Sequence, residues 1–281
     1  MLTPWRTLFQ YEFMRNAFLA GTLVAVVAGL VGYFVILRGL SFAGHALSHI
    51  GFAGATGAVV LGLSPVFGLL AFTLGSALIM GALGSRIRGR DVIIGIVLAW
   101  MLGLGVLFLS LYKGYATEAY ALLFGEILGI SQRDVLITCT AGAITLLGLA
   151  ALYRPLLFTS LDEDVAEARG VPTRFVSVAF MLLLALAVSQ AVQVVGVLLI
   201  FALLVTPAAI SERLTARPAL GMFLAAALAL LFTWGGLTLA YYLPYPVSFF
   251  ITSLAFGSYL LVRGLMLAWH QLQRDQLPAG A

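Results

Sequence analysis

Uncharged apolar runs, each closed by charged or turn-forming residues, recur along the chain from position 17 to 262. A helix needs roughly 20 such residues to cross ~30 Å of hydrocarbon. Runs of that length stand at 17–37, 92–112 and 135–153. Three longer runs must turn inside. The run 39–85 breaks at 62–65, giving spans near 43–62 and 66–84. The run 175–211 breaks around 189–193 into two short spans, and 218–262 breaks at the LPYP sequence of 243–246, where proline restricts the backbone. The pattern predicts an all-α polytopic membrane bundle of nine spans, or eight if one short segment is re-entrant. The run 17–37 is too long for a signal-peptide core and reads as a retained first span.

Composition agrees with that reading. The 281 residues are 62% hydrophobic and only 9% charged, where a soluble domain carries about 25% charged residues. The net charge of +4 then serves topology rather than nucleic-acid binding, because cations collect on the cytoplasmic side of membrane proteins. Arg38, Arg154, Arg169, Arg174, Arg213 and Arg217 fall in odd-numbered connections, as do Arg86, Arg88 and Arg90, with Arg263 and Arg274 after the last span. Connections two, six and eight hold no lysine or arginine. This alternation predicts an N-out, C-in protein, with Arg6 and Arg15 on the outer side against the trend. Cys139 is the only cysteine, which excludes an intrachain disulfide and suggests inert packing. The whole of 1–281 reads as one transmembrane domain without repeats or a soluble module.

His45 and His49 lie one helical turn apart within the uncharged run 39–85. Side chains at i and i+4 share a helix face, and neutral imidazole is a common ligand for transition metals. An ionisable group at membrane depth points to function because it is costly to keep there. With Arg38 at the interface, a rise of ~1.5 Å per residue puts His45 about 10 Å inward and His49 about 16 Å inward, near mid-membrane. The same residues could instead hydrogen-bond between packed helices. Two of the chain's three histidines on one face favour ligation. A closed zinc site takes four ligands, so the remainder would come from a two-fold copy, from Glu118 or Glu126, or from water. An incomplete set suits a path that must release its ion.

The polar segment 160–172, SLDEDVAEARGVP, predicts a helix of about two turns lying against the membrane. Ser160 is placed as its N-cap, Asp162, Glu163 and Asp164 favour its N-terminal end, and Gly170 and Pro172 stop it. It reads either as an ordinary loop helix or, with small Ala166 and Ala168 and the acidic Glu167, as a docking helix for a cytoplasmic partner. Thr206-Pro207 would kink its span, by packing or as a hinge. Glu118 and Glu126 flank an outer amphipathic stretch, and Trp5, Tyr241, Tyr242 and Tyr245 read as interfacial anchors. The only lysine, Lys113, lies outside any G-x-x-x-x-G-K-[ST] pattern, so ATP is not bound here through a phosphate loop. No catalytic constellation stands out.

The run LRGLSFAGHALSHIGFAG at 37–54 resembles the second-helix signature of the zinc/manganese/iron permease family of bacterial ABC importers. The run GVLLIFALLVTPAA at 196–209 resembles that family's other recurrent segment, and 162–172 occupies the place of its coupling helix. The likeness extends from about Tyr11 to Leu265 and is carried by the combination. It implies a type II importer permease in the bacterial cytoplasmic (inner) membrane, homodimeric, paired with ABC ATPase subunits and fed by an extracytoplasmic metal-binding protein. It implies no resident cofactor and no enzymatic activity of the permease itself. His49 matches the family's usual histidine, whereas His45 stands where many members carry aspartate. Imidazole in place of carboxylate moves the donor set toward zinc and away from manganese, so zinc is the expected cargo, with manganese or iron as alternatives. A vitamin or siderophore permease would not need paired imidazoles, and a stand-alone metal carrier or channel leaves 162–172 without a purpose.

Overall fold

The computed structural model describes residues 10–83, 90–111, 127 and 129–275. All regular structure among them is α-helical: α1 (Glu12–Leu37), α2 (Ser41–Val60), α3 (Pro65–Leu83), α4 (Arg90–Leu111), α5 (Gln132–Leu161), α6 (Glu163–Ala168), α7 (Thr173–Leu214), α8 (Pro218–Tyr242) and α9 (Val247–Asp275). Seven of these are long and apolar enough to cross a membrane. The 20-residue α2 is long enough too, but its histidines, serines and glycines dilute its hydropathy. It can afford them because most of its residues are buried by α3, α4 and α7.

α7 counts twice. Its 42 residues would run roughly 60 Å if straight, about twice the hydrocarbon thickness. Yet Phe180, from its first part, meets Phe34 of α1 edge to face with ring centroids 6.2 Å apart, and Leu204, from its second, presses its carbonyl against Gly32 of the same helix. Both ends of that interval therefore reach one turn of α1, so the chain doubles back between them. The reversal is at Gly196, whose φ of 82° and ψ of 165° interrupt the helix in a region open to glycine. The expected break at 189–193 is thus displaced to Gly196; Ser189 and Gln190 are buried helical residues. Pro207 lies inside the continuous second part and does not break it.

The other turns fall where the pattern placed them, at 61–64 and 243–246. Several helices outrun their apolar cores. α1 begins at Glu12 rather than 17, and α9 continues to Asp275 beyond Arg263. α5 runs through Pro155 to Leu161 instead of ending at 153, because Leu156 and Thr159 are buried there. Charge alone marked that stretch as loop.

Among the described residues, side chains flanking the first and fifth connections meet at one end of the bundle, in keeping with the arginine pattern; the third connection lies outside the described residues. Arg38 donates to Thr159 at 2.9 Å and Ser160 at 3.4 Å at the end of α5, and to Ser177 at 2.8 Å near the start of α7. Arg213 reaches the Tyr259 hydroxyl of α9 at 3.4 Å. At the other end Gln132 donates to Glu12 at 2.8 Å, and Tyr11 lies beside Tyr241. Tyr11, Tyr241, Tyr242 and Tyr245 gather there as an interfacial belt. Cys139 is exposed on α5 rather than packed.

Close backbone approach holds the interior helices, since small residues permit it without a hydrophobic drive from lipid. A methyl group on Gly54 of α2 would strike the carbonyl oxygen of Gly68 in α3, and one on Gly68 would strike that of Gly54. Gly54→Val should therefore cost about 2–3 kcal/mol through overpacking against backbone that cannot retreat. Thermal unfolding of the detergent-purified protein measures it; an unchanged midpoint would show that the crossing tolerates a larger gap.

Candidate functional site

α2 is covered on most of its circumference, and the residues that stay open or partly open are Ser41, Phe42, His45, His49 and Phe52, with Val59 and Val60 at its end. Four of these, at 41, 45, 49 and 52, follow the i, i+4 and i+3 spacing of one helix stripe. The packing that encloses the rest uses small residues: Gly51 lies against Thr73 and Leu69 of α3, and Ala53 meets Gly105 of α4. Both imidazoles are half-buried. Their ring centroids are 4.6 Å apart with planes at 73°, and Phe201 from the second part of α7 stands 5.1 Å from His45.

Two nitrogens that share one ion at ~2.0–2.1 Å each must come within roughly 3–4 Å of one another. Rings already adjacent on one helix can do so by side-chain rotation alone. No further ligand completes the set among the described residues, where no group of three or more His, Cys, Asp or Glu side chains occurs. Glu118 and Glu126 lie outside the described residues. The arrangement offers two imidazoles on one stripe of α2, which could supply a metal ion with only part of its coordination shell and would leave the remainder to water or a second chain.

The polar segment forms α6, a helix of six residues. Its N-cap is Asp162, whose carboxylate accepts from the Val165 amide at 2.9 Å. Ser160 is not the cap. It belongs to α5 and its hydroxyl donates back to the Leu156 carbonyl at 2.5 Å. Gly170 ends the helix with φ at 81°, and the Val171 amide donates to the Ala166 carbonyl at 3.0 Å. Ala166 is fully buried, while Asp162, Asp164, Glu167 and Ala168 are exposed and Glu163 is partly so. The sequence-identified side chains are thus split between two places: the imidazoles inside the bundle and α6 at the arginine-rich end. Thr206 is half-buried and Pro207 buried in the second part of α7, the part that carries Phe201.

One residue was read too narrowly from the sequence. Arg38 is more than an interface marker, because its guanidinium ties the end of α1 to α5 and α7 beside α6 and lies 6.0 Å from the Phe180 ring. A lone arginine flanked by two long uncharged runs was the available signal. A second, Gln190, is buried at 2% exposure facing Gly142 of α5, and polar residues in membrane helices favour such interior positions.

Comparison with known proteins adds the lineage. Residues 10–266 match the ABC 3 transport family. The manganese transport system membrane protein MntC of Halalkalibacterium halodurans is 34% identical over 220 residues, covering 78% of this chain and 75% of that protein. The manganese import system permease protein ScaB of Streptococcus parasanguinis is 38% identical over 201 residues, 71% of each chain. Among solved structures, PsaBC from Streptococcus pneumoniae in complex with Fab superposes with a TM-score of 0.81 at 34% identity, covering 92% of this chain and 93% of that one. The chain belongs to the ABC 3 transport family.

Proposed function

We propose that this ABC 3 family chain is the membrane-spanning permease of a bacterial importer for divalent transition-metal ions, with manganese as its first cargo. The observation that carries the reading is the His45–His49 pair, adjacent rings on the one partly open stripe of an uncharged interior helix. The names of MntC and ScaB favour manganese. They do not support the zinc expected from the second imidazole. Zinc stays the second reading on one observation: nitrogen donors at both positions bind zinc more tightly than manganese. Choice of cargo would then rest on delivery by an external metal-binding protein rather than on this pair.

The ion is cargo, and the chain supplies no hydrolytic chemistry of its own. ATP hydrolysis belongs to a separate ATPase docked on α6, and a second copy of the permease completes the passage in the cytoplasmic membrane. Transport proceeds by alternating access. The second part of α7 places Phe201 against His45, so its movement about Gly196, or at Thr206–Pro207, covers and uncovers the imidazoles. Two protein ligands hold a partly hydrated ion loosely enough to let it pass inward.

Reconstitution in liposomes with the ATPase and the external binding protein tests this. ATP-dependent manganese uptake should appear and exceed zinc uptake when both are offered. Because protonated imidazole cannot ligate, uptake should fall on acidification. Uptake without the ATPase would replace the importer by a stand-alone carrier. Uptake of zinc alone would reverse the choice of metal.

A further inference from the structure

A groove of about 920 Å³ runs between α5 and α8 with α1 as its floor. Its walls are apolar, among them Leu30, Leu149, Met222, Phe223 and Leu230, and Tyr153 sits at one end. The groove exists because α1 packs on both α5 and α8 while those two helices do not pack on each other. At the floor the fit is close: a methyl group on Gly29 would lie 2.6 Å from the Ala226 Cα.

Three placements together specify an occupant. The lining of α8 extends from Ala219 to Leu230, about 16 Å of helix, or half of the ~30 Å hydrocarbon layer. The lining residues of α1 and α5 run from the middle of those helices toward their C-terminal ends and those of α8 lie in its first half, so the groove occupies the leaflet on the side of Arg38 and α6. Its polar end is cationic. Arg154 follows Tyr153 directly and Arg217 is the N-cap of α8, and both are exposed. Of the neighbouring charges, Arg213 is turned onto Tyr259, and Glu212 is the acid of that connection.

We propose that this groove is a binding site for an anionic phospholipid of the cytoplasmic leaflet. Its acyl chain lies along Leu30, Leu149 and Leu230, and its phosphate is held at Arg154 and Arg217 with the Tyr153 hydroxyl as a further donor. An apolar trough alone would accept any chain in the bilayer. The two arginines at the level of the head groups make the preference for negative charge, since each cation near such a surface strengthens anionic-lipid binding about fivefold.

Native mass spectrometry of the full-length protein, after exchange with vesicles of equal phosphatidylglycerol and phosphatidylcholine of identical acyl chains, reads the retained lipid directly. Wild type should retain phosphatidylglycerol preferentially. Arg154→Ala with Arg217→Ala should weaken that retention roughly thirtyfold. Ala150→Trp, at an exposed rim position of the groove, should block retention with both arginines in place. Equal retention of the two lipids by wild type would overturn the proposal, as would an Ala150→Trp variant that still holds lipid. Cross-linking of Phe223→Cys between copies in native membranes, on a Cys139→Ala background, would give the groove to a second protomer and overturn it equally.

Discussion

Replacing His49 or His45 by alanine should reduce manganese uptake by the reconstituted complex at least tenfold, and the double variant should reach background. Loss of a residue that only supports a ligand already costs 10–100-fold in metal affinity, and here one of two protein donors is removed outright. The rings also contact each other and Phe201, so alanine leaves a gap as well. Phenylalanine separates the two effects, since His49→Phe or His45→Phe retains an aromatic ring but no nitrogen. If ligation is the role, the phenylalanine variants assemble normally with the ATPase and still fail to transport. If packing is the role, they transport. His45→Asp should keep manganese uptake while lowering zinc uptake, because an oxygen donor suits the harder ion. Wild-type transport by the double alanine variant would remove both side chains from the path.

How far the sequence anticipates this site depends on which signal each part carries. Apolar length and turn residues located most of the helices, because crossing hydrocarbon leaves the chain little freedom in between. The same signal failed at α5, where charged Arg154 and Pro155 look like a loop although buried Leu156 continues the helix. Tertiary packing, invisible in a one-dimensional pattern, decides that boundary. Gly196 shows the complementary limit. It sits in an unbroken apolar run, and only the return of Leu204 to α1 shows that the chain reverses there. The histidine pair was legible from spacing alone, whereas the partly open stripe it shares with Ser41 and Phe52 required the surrounding helices. Arg38 was visible as a charge, but its partners lie more than 120 positions away in the chain.

The docking role proposed for α6 rests on side chains that point outward, and these give the second large expected effect. Val165 is 44% exposed and Leu161, one residue before the N-cap, is 67% exposed, so two apolar groups project beside Asp164 and Glu167 at the arginine-rich end. Ala166 points the other way and is fully buried, anchoring the helix to its own bundle. A partner cleft with an apolar floor would take Val165 and Leu161 as its central contacts. Truncation of such anchors costs 2 kcal/mol or more, about thirtyfold in affinity. Val165→Asp combined with Leu161→Asp should therefore abolish co-purification of the ATPase and ATP-driven uptake, while leaving the permease as thermally stable as wild type. Ala166→Leu should do the reverse in order, lowering thermal stability first, because its side chain must fit inside the fold. Undiminished co-purification of the double aspartate variant would place the ATPase contact elsewhere, and α6 would then be a loop helix whose acids only cap and solubilise it.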